Sequence, residues 1–330
     1  MIPLQLYYKK PSPETINAMC KASKAIRNHA KSDQIQKTQE KITRFVNHDY
    51  VRLVNSGNSA IMAVMSTLQN KILIPDEGGW VGFKNIADLM GLEVVYLPTS
   101  KGIIEVDVLE EYLDNHRAEA LFLTSFAGYI AEQPVKDLFE VCDDRNVLMV
   151  EDASGAIGDP EKKLANGEHS HVIIASTGTP KIVNVGNGGF ISTNDLNIFK
   201  SSKTILNSVR IDRITAAGIY EEINHAPKTL ITTINACQRI KKEFNNVIHP
   251  DKRGIVMALQ VDDPKKVGYK IRKNIMAENR RLVTVCPDYN RTLSSAVCFE
   301  LKNLDLKCLK TEIVEKIILN IKKCLPKNEY

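Results

Sequence analysis

The sequence predicts an α/β protein: a central, mostly parallel seven-stranded sheet with helices on both faces, followed by a smaller C-terminal α+β domain. Three observations carry that expectation. Between residues 51 and 194, short β-branched apolar runs alternate with stretches of helical period, the pattern of a doubly wound parallel sheet. The runs are apolar at nearly every position, which is how strands read when both faces are buried. Beyond Thr193 the pattern changes, and its last part runs strand, helix, strand, strand, helix. Single cores stop growing at about 250–300 residues, so a chain of 330 is expected to divide. The change of pattern puts a large domain at 1–245 and a small one at 246–330.

In chain order, 12–27 and 34–45 read as amphipathic helices, the first opened by Ser12-Pro13-Glu14-Thr15, a helix-start signal. Strands are expected at 51–54, 72–75, 93–97, 118–123, 147–151, 172–176 and 189–192. Helices at 59–68, 83–90, 107–115 and 134–144 fall between them. A helix at 196–207 then leads into an irregular stretch, and 231–244 is again helical. The small domain reads as a strand at 254–261, a helix at 264–278 opened by Asp262-Asp263-Pro264, strands at 282–286 and 296–301, and a helix at 309–324. No internal repeat and no disordered tail is expected.

Composition narrows the function. No apolar run approaches the ~18 residues of a membrane span, and the start, M-I-P-L-Q-L-Y-Y-K-K, lacks a secretory leader. A cytosolic protein is expected, with no membrane partner. The charge is a modest +5, from 44 basic and 39 acidic residues, and aromatics are 6%. Nucleic-acid binders concentrate basic charge on one face with aromatics interleaved, so nucleic acid is not the expected partner. The seven cysteines, Cys20, Cys142, Cys237, Cys286, Cys298, Cys308 and Cys324, form no C-x-x-C pair and each has an apolar neighbour. Buried reduced thiols fit better than disulfides or zinc. Glu168, His169 and His171 form a weak metal-like cluster that reads as loop chemistry, so no metal is expected.

Four clues lie at predicted strand ends, where open α/β sheets gather ligand groups. The first is N-S-G-N-S-A at 55–60. Gly57 allows close approach, while Asn58 and Ser59 bring donors to a helix N-terminus, making a candidate phosphate cradle. An ordinary helix cap explains it equally well. Second, Glu151-Asp152-Ala153-Ser154 ends an apolar strand, and a carboxylate such as Asp152 at that depth wants a cationic partner or a strong donor. Third, A-S-T-G-T-P-K-I-V-N-V-G-N-G-G at 175–189 joins Ser176, Lys181 and a glycine-rich return. Desolvation there could lower the Lys181 pKa and free its amine for a Schiff base; a surface loop is the bland alternative. Fourth, the single tryptophan, Trp80, follows a strand end and suits either core packing or stacking on a planar ring.

A phosphate cradle, a carboxylate for a ring nitrogen, a stacking aromatic and a Schiff-base lysine together equip a site for pyridoxal 5′-phosphate. In order and spacing these motifs resemble the DegT/StrS-type sugar aminotransferases among fold-type-I pyridoxal-phosphate enzymes, whose pattern is S-G-T-x-A, E-D-A-A-Q, then S-F-x-x-x-K before G-x-G-G. The likeness is clear over 51–194, weaker to about 238, and only architectural beyond. It implies that Lys181 and Asp152 are catalytic, the first holding the cofactor and moving protons, the second pairing with the ring nitrogen. It implies that Gly57, Asn58, Ser59 and Ser176 bind the phosphate and that Trp80 stacks on the ring. A family asparagine that reaches the partner subunit's cofactor corresponds to Asn224 in E-E-I-N-H-A, implying a homodimer with shared active sites. The resemblance breaks on the substrate side. Gly155 replaces the family glutamine, Ile157 a frequent histidine and Thr177 a phenylalanine, while H-x-Y-G-Q-P survives only as S-F-A-G-Y-I-A-E-Q-P at 125–134. The implied reaction is transfer of an amino group from an amino acid, such as glutamate, to a keto sugar or related keto acceptor. Another pyridoxal reaction, by a lyase or on a charged tRNA, and a non-catalytic ligand-binding relative remain as alternatives.

Overall fold

The apolar runs pair into one sheet because neither face of the inner ones can be left in water. The computed structural model describes residues 3–27 and 33–325. The C-terminal end, expected to carry no disordered tail, falls partly outside them. Strand β1 (Leu4–Leu6) and helices α1 (Pro13–Arg27) and α2 (Gln34–Val46) precede the first sheet strand, β2 (Tyr50–Val54). Then follow α3 (Gly57–Met65), β3 (Lys71–Pro75), α4 (Val81–Met90), β4 (Glu93–Leu97), α5 (Val106–Asn115) and β5 (Ala120–Thr124). A short hairpin, β6 (Phe126–Ala127) and β7 (Ala131–Glu132), leads to α6 (Val135–Asp144), β8 (Leu148–Asp152), β9 (Val172–Ser176) and β10 (Gly189–Thr193).

The seven long strands lie in the order β2-β10-β9-β8-β5-β3-β4. All neighbours are parallel except those of β10, which runs against both β2 and β9. Side chains alternate between two buried layers, as the pleat demands. Leu73, Leu121, Met149 and Ile173 join the core that faces α2, α5 and α6. Their neighbours Ile72, Ala120, Val150 and Val172 join the core under α3 and α4. This two-sided burial is the reason the strands lack polar alternation.

Beyond the sheet, the expected helix at 196–207 is two, α7 (Leu196–Ser201) and α8 (Lys203–Ser208), divided at Ser202, whose hydroxyl donates to the Ile198 carbonyl at 2.6 Å. The stretch expected to be irregular holds α9 (Arg213–Glu222), with Asp212 as its cap, accepting the Ile214 and Thr215 N–H groups. Helix α10 (Ala226–Lys241) starts earlier than expected, with Pro227 in its first turn. The C-terminal portion contains β11 (Met257–Gln260), α11 (Pro264–Asn274), β12 (Ile275–Ala277), β13 (Val283–Cys286), β14 (Ala296–Phe299) and α12 (Thr311–Lys322). Its antiparallel sheet runs β11-β14-β13, and β12, the continuation of α11, pairs with β1 from the far end of the chain. Leu6 and Tyr8 therefore share a core with Phe299, Ile317 and Ile321. Six cysteines are buried, Cys20 is exposed and none is in a disulfide. His171 is taken up by the Met149 N–H and by Asp143, at 3.0 and 3.1 Å. No helix among the described residues is long and apolar enough to cross a membrane.

Candidate active site

Because β10 reverses, β2 runs the same way as β9, β8, β5 and β3, and the loops after all five open at one edge of the sheet. At β2 the chain turns into α3 through Ser56. Its Oγ accepts the Ser59 N–H at 3.1 Å and its carbonyl takes the Ala60 N–H. The Ser59 hydroxyl is spent on Asn55 Oδ1, at 2.5 Å. The cap is therefore real and includes Ser59, while the Asn58 N–H meets no acceptor among the described residues. Gly57 is dictated by contact, since a Cβ there would lie 2.8 Å from Ser176 Cβ.

Trp80 is outside the core, 40% exposed at the start of α4. Its indole N–H donates to Asn58 Oδ1 at 2.9 Å, and the ring lies against Gly82, where a Cβ would fall 2.2 Å from Nε1. At the end of β8 the two adjacent carboxylates part company, because strand side chains alternate. Glu151 is buried and accepts the Ser125 and Ser170 hydroxyls and the Ala165 N–H, at 2.6, 2.7 and 2.9 Å. Burial nevertheless pushes its carboxyl up. Asp152 Oδ1 accepts both the N–H and the hydroxyl of Ser154, at 3.0 and 2.5 Å, and Oδ2 has no donor among the described residues. The Ser154 oxygen in turn accepts the Ser176 N–H at 2.8 Å.

Lys181 lies in the loop after β9, with Nζ 5.9 Å from the centre of the Trp80 ring. The contacts thus form a nearly closed circuit: Asp152, Ser154, Ser176, Gly57, Asn58, Trp80, Lys181. The expected fall in the Lys181 pKa does not occur. Burial pushes the ammonium down, but Tyr129 and Asp152 outweigh it and the net shift is upward. Asn224 is not in this circuit; it sits exposed on a 3-10 turn at Ile223–His225.

The sequence reading missed the other wall. Tyr129, from the turn between β6 and β7, receives a hydrogen bond from Lys181 Nζ at 2.6 Å. Its ring fills the space beside Gly155, where a Cβ would lie 2.6 Å from Cε1. Over that ring stand Arg291, at 4.6 Å, and Lys302, at 5.1 Å. Arg291 grips Glu300 with two hydrogen bonds of 3.0 Å, all three charged groups being buried. Burial pushes the Glu300 carboxyl up, yet Arg291 and Lys302 carry it down to about 2. Burial lowers the Lys302 ammonium to about 7, with Glu300 opposing. The one sequence signal for this wall was the tyrosine in S-F-A-G-Y-I, next to a glycine.

Comparison with known proteins follows the same division. The model of the DegT/DnrJ/EryC1/StrS aminotransferase family matches residues 12–242, and that of the MJ1341 family C-terminal domain matches 227–322. No curated protein sequence matches the chain. Among solved structures, PseC of Helicobacter pylori, an aminotransferase involved in the biosynthesis of pseudoaminic acid, superposes with a TM-score of 0.77 at 15% identity, over 98% of this chain and 99% of its own. A Brucella abortus aminotransferase described by the same four-part family name gives 0.73 at 15% identity, over 93% and 95%. Sphingomonas wittichii serine palmitoyltransferase gives 0.76 at 12% identity, over 98% and 87%. At these identities the structures establish the fold, that of fold-type-I pyridoxal-phosphate enzymes.

Proposed function

Since the chain belongs to the DegT/DnrJ/EryC1/StrS aminotransferase family, we propose that the strand-end circuit moves an amino group from an amino acid, glutamate in our reading, to a keto sugar or related keto acceptor in the cytoplasm. The enzyme is a pyridoxal-phosphate-dependent aminotransferase. The residues present fit that cofactor on three counts. The Asn58 N–H is open at a helix N-terminus beside a glycine that a Cβ would block, Asp152 keeps one carboxylate oxygen without a donor, and the Trp80 face is half exposed. When bound, pyridoxal phosphate supplies an aldehyde to carry the amino group and a ring that withdraws electrons from the substrate carbon.

The single observation that carries the assignment is the circuit itself, which brings four motifs up to 126 residues apart, Asn55 to Lys181, to one sheet edge. In it, Lys181 would hold the cofactor covalently and carry the proton to and from the substrate carbon. Asp152, oriented by Ser154, would keep a proton on the ring nitrogen. Trp80 would cover one ring face and exclude water from it. The Asn58 N–H, Gly57, Ser59 and Ser176 would line the phosphate, with Ser59 acting through the cap it completes. Exposed Asn224 would serve the phosphate of the partner subunit, making the enzyme a homodimer with shared sites. We place the large cofactor platform at 1–245 and the small α+β domain at 246–330; the family match ending at 242 supports that boundary, while the second match, from 227, and the pairing of β1 with β12 tie α10 and the first strand to the small domain as well.

Reconstitution with pyridoxal phosphate tests the reading. A visible absorbance band is expected, bleached by glutamate and missing in Lys181→Ala. If no amino acid bleaches it, transamination is the wrong reaction. For the dimer, separately inactive Lys181→Ala and Asn224→Ala subunits should regain activity when mixed.

A further inference from the structure

Tyr129 lies in the altered stretch at 125–134 and takes no role from any of the four strand-end clues, yet its hydroxyl is the hydrogen-bond partner of the Lys181 amine. It follows Gly128, and both residues are left-handed, with φ of +65° and +54°. A tyrosine in that region persists only where its surroundings hold it there. Here its N–H bonds the Phe126 carbonyl at 3.0 Å, and its own carbonyl accepts the Ile255 and Val256 N–H groups at 2.9 and 3.0 Å. At Gly128 a Cβ would fall 2.2 Å from the Arg291 carbonyl oxygen, so no other residue fits that turn. The backbone is thereby pinned to the segment that leads into β11 and to the Arg291 loop. The ring is pinned beside Gly155, and the hydroxyl is left 2.6 Å from Lys181 Nζ.

We infer that Tyr129 is a catalytic residue, whose phenol oxygen holds one proton of the Lys181 ammonium while another proton moves between that nitrogen and the substrate carbon. The inference rests on the role given to Lys181 above. In the protonating direction, one N–H bond of Lys181 breaks and its electron pair stays on nitrogen. The C–H bond forms with the pair from carbon, and Tyr129 keeps its own proton throughout while accepting from a second N–H. The reverse step restores the ammonium. The arrangement answers a specific difficulty: Arg291 and burial both work to strip the proton from Lys181, and the hydrogen bond to Tyr129, with the Asp152 carboxylate, works to keep it. It also accounts for Gly155, since any side chain there would displace the ring and the hydroxyl with it.

Tyr129→Phe keeps the ring in place and removes only the oxygen. The first measurement uses the cofactor-stripped full chain: Lys181 is labelled by reductive methylation across a pH series and followed by mass spectrometry. The labelling midpoint should move to lower pH in Tyr129→Phe, with the melting temperature held. In the loaded enzyme, kcat should fall about 100-fold with KM for the amino donor unchanged. The second variant carries 3-fluorotyrosine at 129, a more acidic phenol and weaker acceptor, and should move the midpoint part of the way. An unchanged midpoint in Tyr129→Phe overturns the inference, whatever happens to activity. Failure of the unsubstituted protein to bind pyridoxal phosphate overturns the functional reading instead, and the labelling result stands apart from it because no cofactor is present.

Discussion

The two walls of the site are built on different terms. The cofactor wall comes from local sequence: Asn55 to Ser59, Asp152, Ser176 and Lys181 each sit within a few residues of a strand end. Backbone direction alone brings them together. The opposite wall comes from tertiary contact: Tyr129 reaches it from the three-residue turn of a short hairpin, and Arg291, Glu300 and Lys302 come from the small domain, more than 160 residues later. In the proposed reading, one wall is set by what a bound ring and phosphate need. The other is set by packing around a buried charge cluster, where position matters more than motif. The comparison therefore predicts that damage to the first wall appears in chemistry, and that damage to the buried charge cluster of the second, the Tyr129 hydroxyl apart, appears first in stability.

Lys181→Ala should have the largest effect, a loss of about 10⁴-fold in kcat with little change in melting temperature. A large stability loss there would break the comparison. Glu300→Ala is the counterpart on the other wall. It strands two buried cations, and removing one partner of a buried pair costs about 3–5 kcal/mol, readable by denaturant unfolding. Glu300→Gln sharpens it through pH. A carboxyl held down at about 2 contributes stability that is full above the ordinary carboxyl range and is lost as pH falls toward 2. The unsubstituted protein should lose stability over that window, and Glu300→Gln should lack that part of the acid slope. Asp152→Asn should then cost about 100- to 1,000-fold in kcat, the size expected for one preorganised electrostatic partner, with stability unchanged.

The same division decides what the sequence could tell. The inner strands were legible because two-sided burial leaves an unbroken apolar run, and the strand-end residues of the circuit because their spacing to strand ends is fixed by one turn of chain. The edge strand β1 was not legible, since three residues carry no period and its partner β12 is some 270 positions away. Nor was α9, which is small-residue rich and reads as neither strand nor helix until α1 and α2 pack on it. From sequence Gly155 read only as a missing glutamine, because the ring that fills its space comes from 26 residues upstream. The rise in the Lys181 pKa had the same origin: burial was inferable, the phenol was not.

Trp80 offers the smallest and most discriminating effect. Its indole belongs to the cofactor wall by chemistry, but its exposure and its hydrogen bond to Asn58 leave open a capping role at α3 and α4. Stacking on a planar ring contributes about 0.5–1.5 kcal/mol, so Trp80→Ala should weaken pyridoxal-phosphate binding by about 10-fold, measured as the cofactor concentration that restores the visible band. Trp80→Phe separates the two roles. Phenylalanine keeps a ring face and loses the indole N–H, so near-normal affinity assigns the effect to stacking. If Phe and Ala are equally impaired, the bond to Asn58 is what matters, and Trp80 acts by orienting the helix N-terminus instead of covering the ring.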